Sequence, residues 1–470
     1  MLLCRKGKRK QVMKRISTRV ISLLMCICML CACGGKEPRD ESQGTEVVEA
    51  TNEAGEQNTD ETSGEDTEEV ADESGEQEQL SEEDIYWQQV LESFADSEYD
   101  MTAALTGTAL KDYCEDYFSL GVGINGSTLD NLTTYSDEYM AVVKKHFNSC
   151  TMSNLMKSCY LLRQQESIVS AAEGDGSPVL GFETIDDTLQ WCMDNGVKMR
   201  GHTLVWHAQA PDWFFREGYT NDGAYVDKET MLFRMESYIK QVLTHVQDNY
   251  QGVIYCWDVV NEAVELGEGG DKDSFFSCRV SSGEGPNPWY LTIGEEYVEM
   301  AFTYARKYAD KDVKLFYNDY NTFDVNKRAN IIRLCEHLKE KGLIDGIGMQ
   351  GYWGLDWPAQ IDIEMTIKLY AKLDLEIQIT ELSVGVDEEN EEQFLAQAKK
   401  YFNIFMFLRN LDTQGGGSAN ITNVTLFGLK DHYHPADTTN ARLFDTNFQP
   451  KEAFQRVKAI LNASYKKLDD

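Results

Sequence analysis

From about residue 85, short apolar and β-branched runs alternate with longer stretches in which apolar residues recur at helical spacing. Eight runs are predicted as strands: 118–124, 146–150, 197–206, 253–259, 313–317, 346–350, 375–380 and 424–429. Helices are predicted between them, among them 135–145, 185–195, 228–248, 295–308, 326–341, 391–409 and 451–461. Eight strand–helix units predict an α/β fold, a (β/α)8 TIM barrel. A doubly wound open sheet is the alternative, but it normally has fewer strands, and no good dinucleotide fingerprint is present.

Polar side chains gather just after these strands, where a barrel opens on its C-terminal face and places its chemistry. They are Asn154 and Lys157, His202 and His207, Asn261 and Glu262, Asn318 and Asp319, Gln350, Glu381, and Asp431 with His432. One such residue would mean little, because charged residues often end strands in ordinary loops. Seven of eight strand ends with this character indicate a functional face.

Two of these residues, Glu262 and Glu381, are glutamates that directly follow apolar strands. An isolated glutamate at such a position is usually a solvated loop acid or an ion-pair partner. A pair of carboxyl groups can cleave a glycosidic bond, one protonating the leaving oxygen while the other attacks or activates water. The two strand ends therefore predict a paired-carboxylate enzyme.

The first 90 residues of the chain are unlike the rest. Residues 1–33 hold eight Lys and Arg and no acid, and the apolar run 20–30 is too short to span a bilayer but suits a signal segment. The run ends at Leu30-Cys31-Ala32-Cys33-Gly34, which resembles a bacterial lipoprotein signal with Cys33 as the lipidated residue. Ordinary secretion with cleavage near Ala32 is the alternative. Lipidation predicts an exported protein, anchored by lipid to the outside of the bacterial cell membrane.

Residues 34–90 are predicted as a disordered acidic linker, followed by a catalytic domain over 91–470. Within 34–84 there are 20 Asp and Glu against two Lys and Arg and no aromatic residue, so little apolar surface can offset the ordering entropy. The rest of the chain after this segment is also strongly acidic, and the formal net charge of the whole chain is −35. This charge argues against nucleic acid or an anionic membrane face as partner and is compatible with a neutral polysaccharide.

The twelve cysteines give neither a disulfide framework nor a zinc site. Five lie in the first 33 residues, and the other seven are scattered without the close spacing of metal ligands. They are interpreted as mostly buried, small apolar side chains. No cofactor and no metal are predicted.

Five sequence blocks resemble glycoside hydrolase family 10, whose typical members are endo-β-1,4-xylanases. They occur in the family's order over nearly the whole of 110–460. The blocks are RGHTLVWH at 200–207 with Gln209 and PDW at 211–213, WDVVNE at 257–262, NDYN at 318–321, GIGMQ at 346–350 and TEL at 380–382.

The resemblance implies a (β/α)8 barrel that hydrolyses β-glycosidic bonds with retention, without a cofactor. Glu262 then matches the acid/base and Glu381 the nucleophile, and Asn261 matches the amide that binds the sugar 2-hydroxyl. Groups that match the lining of the sugar sites on the non-reducing side are Asn154, Lys157, His202 and Trp206. His207 and Gln350 match polar residues packed around the catalytic pair, although His207 is equally compatible with a core histidine.

Several positions depart from the family pattern. Ser153 stands where a sugar-binding carboxylate is usual, and Tyr352 where a His usually binds the nucleophile. A tyrosine can still donate through its hydroxyl but cannot carry a positive charge. Ser383, Phe427 and Tyr433-His434 also differ from the usual residues. These changes reduce the predicted sugar grip and leave the reaction centre intact.

The leading hypothesis is a cell-surface endo-β-1,4-xylanase, a monomer that contacts xylan or a related β-glycan. A second hypothesis keeps the mechanism but changes the polymer to a decorated xylan or a mixed-linkage β-glucan. A third is a non-catalytic surface glycan-binding lipoprotein, which would be expected to have lost a catalytic acid, yet Glu262 and Glu381 are both present.

Overall fold

A computed structural model describes residues 99–124, 136–431 and 440–462. Its central sheet holds eight parallel strands of the barrel: β1 Ser119–Ile124, β2 Ser149–Met152, β3 Lys198–Trp206, β4 Ile254–Asn261, β5 Lys314–Asp319, β6 Gly346–Met349, β7 Glu376–Val384 and β8 Ile421–Leu426. Each strand pairs with the next, and the barrel closes where Ser119 of β1 pairs with Asn423 of β8. The predicted (β/α)8 barrel is confirmed.

Helices fill the segments between the strands and surround the barrel. In chain order they are α1 Thr102–Leu105, α2 Leu110–Cys114, α3 Asp137–His146, α4 Ser158–Leu161, α5 Gln164–Glu173, α6 Asp186–Asn195, α7 Lys228–Asn249, α8 Pro288–Ile293, α9 Tyr297–Tyr308, α10 Val325–Glu340, α11 Gln360–Ala371, α12 Glu391–Leu411 and α13 Glu452–Asn462. Side chains cap several of their first turns, as when Asp324 accepts hydrogen bonds from the backbone N–H groups of Asn326 and Lys327.

Three predicted strands differ from the structure by three residues or more at an end. The strand predicted at 375–380 continues to Val384, so Glu381 lies inside it. The strand predicted at 146–150 begins only at Ser149, because His146 ends α3 and its ring is tied to α1 and α2 by contacts with the Ala104 carbonyl and the Leu110 N–H. The strand predicted at 424–429 lies three residues earlier, since Gly428 leaves the extended conformation with φ +114°.

The barrel interior contains a polar layer among apolar side chains. Arg200 of β3 forms a buried ion pair with Asp258 of β4, and its Nε donates to Oε1 of Gln378 on β7 at 2.9 Å. On the opposite wall, Nδ2 of Asn423 donates to the Ser149 hydroxyl at 2.9 Å. The large apolar core lies instead between the strands and the surrounding helices.

Two short additions lie near the C-terminal ends of the strands. The segment between β4 and α8 carries a two-residue hairpin in which Ser281–Ser282 pairs antiparallel with Gly285–Pro286. After β6, Tyr352–Trp353 pairs with Ser383 and Val384 at the end of β7. This second pairing places Tyr352 next to the end of the strand that carries Glu381.

Candidate active site

The end of β4 supplies an amide and a carboxylate with an unusual backbone between them. Asn261 is the last residue of the strand, and Glu262 follows with φ +57°, a left-handed conformation that is uncommon outside glycine. The Glu262 N–H donates to the carbonyl of Asn318 on β5 at 2.9 Å, which holds this conformation. Such backbone strain persists where the surrounding structure fixes it and is typical of functional sites.

The Glu262 carboxyl group accepts hydrogen bonds from three side chains. Its Oε2 accepts from Trp206 Nε1 at 3.0 Å, and its Oε1 accepts from Asn261 at 3.2 Å and from Gln350 Nε2 at 2.9 Å. The donors come from the ends of β3, β4 and β6. The carboxyl group is therefore fixed in position by three different strands.

Glu381 lies inside β7 and is 94% buried, with one donor for each carboxylate oxygen. Asn318 Nδ2 donates to Oε1 at 3.0 Å, and the Tyr352 hydroxyl donates to Oε2 at 2.6 Å. Both donors are neutral, so they orient the carboxylate without adding a positive charge beside it.

A chain of amides connects the two glutamates. Asn318 Nδ2, besides contacting Glu381, donates to Oδ1 of Asn261 at 2.9 Å, and the Nδ2 of Asn261 in turn reaches Glu262. The Thr380 hydroxyl fixes the Asn318 amide by donating to its Oδ1 at 2.7 Å. Two carboxyl groups from opposite strands thus converge on one polar network, although they are 119 positions apart in the sequence.

Beside this network, the segment after β2 presents a buried lysine. Lys157 Nζ donates to Oδ1 of Asn154 and to Oε1 of Gln209, both at 2.7 Å, and lies 4.5 Å from the centre of the Trp206 ring. Burial lowers the Lys157 pKa to about 8, and the charge of Glu381 partly opposes this shift. Gln209 belongs to the first sequence block but had no predicted role, and its contact with Lys157 makes it part of the site.

His202 lies on β3 and is oriented from below by the polar layer of the barrel. Its Nδ1 is 2.8 Å from Oδ2 of Asp258, the carboxylate that also pairs with Arg200. Burial alone would raise the pKa of Asp258, but Arg200 and His202 together hold it below its ordinary value. Because Asp258 fixes one ring nitrogen, the other nitrogen of His202 has a defined direction.

His207 is partly buried and lies at the boundary between the core and the site. Burial, helped by the nearby charge of Arg279, lowers its pKa to about 4, and its Nδ1 has no hydrogen-bond partner in the described part of the chain. A neutral imidazole at this position packs against Trp206, with ring centres 5.6 Å apart. His207 therefore packs against Trp206, which in turn donates a hydrogen bond to Glu262.

Not all of the positions that depart from the family pattern contact Glu381. Tyr352 contacts Glu381 directly and packs edge-on against Phe427, with ring centres 5.7 Å apart. The Ser383 hydroxyl is buried and makes no hydrogen bond among the described residues. His432, Tyr433-His434 and the predicted lipidation residue Cys33 lie outside the described residues.

A (β/α)8 barrel with two carboxyl groups converging at the C-terminal ends of β4 and β7 has the architecture of a glycoside hydrolase. The sequence agrees with this class over most of its length, since residues 109–460 match Glycosyl hydrolase family 10. The chain belongs to that family.

Relatives extend the comparison. A protein of Caldicellulosiruptor saccharolyticus, whose name as an endo-1,4-beta-xylanase is itself provisional, is 46% identical over 310 residues, covering 64% of this chain and 95% of the relative. Endo-1,4-beta-xylanase B of Butyrivibrio fibrisolvens is 37% identical over 354 residues, which cover 74% of this chain and 52% of that protein. The chain therefore spans nearly all of the first relative and about half of the second.

Among solved structures, the N-terminal CBM22-1 and GH10 modules of Clostridium thermocellum endo-1,4-beta-D-xylanase 10B, complexed with xylohexaose, superpose with a TM-score of 0.67. The two sequences are 33% identical, and the match covers 76% of this chain and 68% of that one.

Two further observations concern residues 99–124, 136–431 and 440–462. No helix in these ranges combines the length and the apolar character needed to cross a bilayer. Within the same ranges, His, Cys, Asp and Glu side chains do not form a group of three or more that could hold a metal ion.

Proposed function

We propose that this protein is an endo-acting, retaining hydrolase of the internal β-1,4-xylosidic bonds of xylan. The observation that carries the proposal is the convergence of Glu262 and Glu381 on one network through Asn261 and Asn318. The names of the relatives support xylan as the substrate, because relatives 37% and 38% identical to this chain are endo-1,4-beta-xylanases.

In the first step of the proposed reaction, an oxygen of Glu381 attacks the anomeric carbon as the bond to the leaving sugar breaks. Glu262 gives its proton to the leaving oxygen, and a covalent glycosyl–enzyme ester forms. In the second step Glu262 removes a proton from water, the water oxygen attacks the same carbon, and Glu381 leaves as a carboxylate. Two inversions give net retention.

The neighbouring residues assist these steps by position and charge. Asn261, fixed by Asn318, is placed to donate to the sugar 2-hydroxyl, a contact that strengthens in the transition state. Asn154, Lys157, His202 and Trp206 form the wall that holds the sugar bound over Glu381. Gln350 and Tyr352 orient the two catalytic carboxyl groups.

Removal of each glutamate separates the two roles. Glu381→Ala should abolish hydrolysis and keep the binding of xylo-oligosaccharides. Glu262→Ala should lose xylan hydrolysis but retain the first step on an aryl xyloside, whose leaving group needs no proton. Glu388→Ala, an exposed carboxylate after β7, is the matched control and should behave as wild type. Unchanged hydrolysis by Glu381→Ala would refute the nucleophile assignment. Binding without cleavage by the wild-type protein would instead favour a non-catalytic glycan-binding protein.

The substrate is tested by product analysis on linear xylan, arabinoxylan and mixed-linkage β-glucan. Ser153 and Phe427, which depart from the family pattern, motivate the comparison. Internal cleavage of linear xylan is expected. Activity on the glucan without turnover of either xylan would instead establish the same mechanism on a different polymer.

We also propose that the protein is exported and held at the outer side of the cell membrane by a lipid on Cys33. In this proposal residues 34–90 tether a monomeric catalytic domain, residues 91–470. The sequence around Cys33 and the acidic composition after it support this arrangement. Mass spectrometry should find an N-terminal Cys33 carrying fatty acyl groups, and Cys33→Ala should move the protein from the detergent phase to the aqueous phase. An unmodified N-terminus after Ala32 would contradict the anchor.

A further inference from the structure

A cavity of about 620 Å³ opens directly beside Glu262. Its walls come from β3 and from the segments after β4 and β5, including Trp206, Glu265, Arg279 and Tyr320. Glu381, Asn261, His202, Lys157 and Asn154 do not line it. Since Glu262 is the proposed donor to the leaving oxygen, this cavity lies on the side from which the leaving sugar departs.

The cavity wall is acidic. Four of its lining residues are carboxylates, Glu262, Glu265, Glu268 and Glu284, and its one lysine or arginine is Arg279. Glu268 and Glu284 are exposed, and neither forms an ion pair within the described ranges. Glu268 follows β4, and Glu284 lies at the turn of the hairpin formed by Ser281–Ser282 and Gly285–Pro286.

Arg279 is already committed to its neighbours. Its Nε donates to the Glu262 carbonyl at 2.8 Å, and its Nη2 contacts the Tyr320 hydroxyl at 2.9 Å and Oε2 of Glu265 at 2.5 Å. Its side chain is only 5% exposed. Among the described residues that line the cavity, an anionic ligand would therefore meet two carboxylates without an ion pair and no uncommitted Lys or Arg.

On the basis of the proposed function, we propose that Glu268 and Glu284 make the cavity on the leaving-group side selective for neutral sugars. The two carboxylates repel a uronate branch on a sugar bound in this cavity. The hydroxyl groups of Ser281 and Ser282, which also line the cavity, can bond to the hydroxyls of bare xylose or of a neutral pentosyl branch. Both glutamates are exposed, and salt screens exposed charges beyond about 8 Å at physiological ionic strength. We expect the pair to change selectivity by roughly three- to tenfold.

The experiment compares three polymers with the same backbone: linear xylan, glucuronoxylan, and glucuronoxylan whose carboxyl groups have been reduced to alcohols. The reduced polymer keeps the size of the branch and removes its charge. Wild-type enzyme should cleave the reduced polymer several-fold faster than glucuronoxylan at low salt. Its products from glucuronoxylan should carry no uronate branch on the xylose at the new non-reducing end, which is the end that cleavage releases.

The double variant Glu268→Gln/Glu284→Gln should raise the ratio of kcat/KM on glucuronoxylan to kcat/KM on linear xylan by about three- to tenfold. High salt should give wild-type enzyme much of the same gain. Glu392→Gln, an exposed carboxylate on α12 away from this cavity, is the matched control.

An unchanged preference in the double variant, or equal wild-type rates on glucuronoxylan and its reduced form, would overturn the inference. Linear xylan keeps this outcome distinct from a failure of the proposed function, because that failure would remove turnover of linear xylan by wild-type enzyme as well.

Discussion

The Tyr352 hydroxyl donates a 2.6 Å hydrogen bond to Oε2 of Glu381, the oxygen that Asn318 does not contact. Tyr352 is 46% exposed, but its hydroxyl contacts the buried carboxylate of Glu381. Burial of this hydroxyl, and next the charge of Glu381, raise the pKa of Tyr352 well above its usual value. The donor therefore remains protonated, and neutral, over the range in which the enzyme would work.

Tyr352→Phe should lower kcat by roughly 10- to 100-fold, because a hydrogen bond to a charged group contributes about 1.5–3 kcal/mol. Tyr352→His should restore part of the rate and add a pH-dependent limb near pH 6.5, the ordinary pKa of histidine. Steady-state kinetics across pH 5–9 measure both effects. The control is Tyr225→Phe, at an exposed tyrosine that bonds Asp212. If Tyr352→Phe retained the wild-type kcat, the hydroxyl would have no part in positioning Glu381.

Asn318 is expected to matter for both stability and rate. Asn318→Ala removes the donor shared by Asn261 and Glu381 and leaves two buried oxygens with fewer partners, at a cost of about 1–3 kcal/mol in unfolding free energy. Urea denaturation measures this loss, and kcat should fall with it. Asn318→Asp keeps the shape but places a negative charge 3.0 Å from the Glu381 oxygen, so it should lower kcat further than its stability loss explains. Equal kcat in the two variants would contradict this electrostatic account.

Lys157 should make the stability of the protein depend on alkaline pH. Its pKa falls from 10.5 to about 8 on folding, so the folded state binds fewer protons than the unfolded state between these values. Folding stability must then rise with pH through this window, by an amount on the order of 3 kcal/mol. Below pH 8 Lys157 is protonated in the folded state, so the full cost of burying its positive charge lowers the free energy of unfolding.

Lys157→Met removes this titration. Urea denaturation of wild type and variant at pH 7 and pH 10 should show wild type gaining stability relative to Lys157→Met as pH rises. Lys144→Met, at an exposed lysine on α3, is a control whose difference from wild type should not change in the same way. A constant gap between wild type and Lys157→Met would contradict the shifted pKa.

Arg200 and Asp258 form an ion pair that is inaccessible to solvent, with side-chain exposures of 1% and 0%. Arg200→Leu should cost about 3–5 kcal/mol in unfolding free energy, because it leaves the charge of Asp258 buried without its main partner. The double variant Arg200→Leu/Asp258→Asn should recover much of this loss while keeping an acceptor for His202. Chemical denaturation measures the free energy of unfolding of both variants. An equal loss of this free energy in each would show that packing, not charge, is responsible.

Much of the barrel could be predicted from sequence because each strand is a short apolar run bounded by polar residues. Strands β3, β4 and β7 lie within a few residues of their predicted bounds. The errors occurred where tertiary contacts fix an end. His146 reads as the start of a strand, but its ring contacts with Ala104 and Leu110 place it at the end of a helix.

The sequence pattern predicted the site to the level of strand ends, and the family resemblance added the positions of Gln350 and Tyr352 beside the two glutamates. Glu262 and Glu381 follow apolar runs, so their common face could be inferred. The bridging role of Asn318 could not, because its partners Asn261 and Thr380 meet it only in the closed barrel. Its position near the end of β5 and its place in the NDYN block at 318–321 were the available signals.

The hairpin that carries Glu284 was also missed. The long segment after β4 has no regular hydrophobic period, and its conformation is set by contacts such as that of Arg279 with the Glu262 carbonyl. Sequence patterns describe local periodicity, whereas this wall of the cavity is made by tertiary contacts.

The order of strands around the barrel separates two tasks of the protein. Asn261, Asn318, Gln350 and Glu381 come from or just after β4 to β7, whereas the wall of Asn154, Lys157, His202 and Trp206 comes from β2 and β3 and the segment after β2. In the proposed enzyme, substitutions at Asn154, Lys157 or His202 can therefore change which glycan is bound while the catalytic carboxyl groups keep their hydrogen bonds. Trp206 is the exception, because it donates to Glu262. Glycan binding by this fold can therefore change through single substitutions, while the residues that break the glycosidic bond are kept.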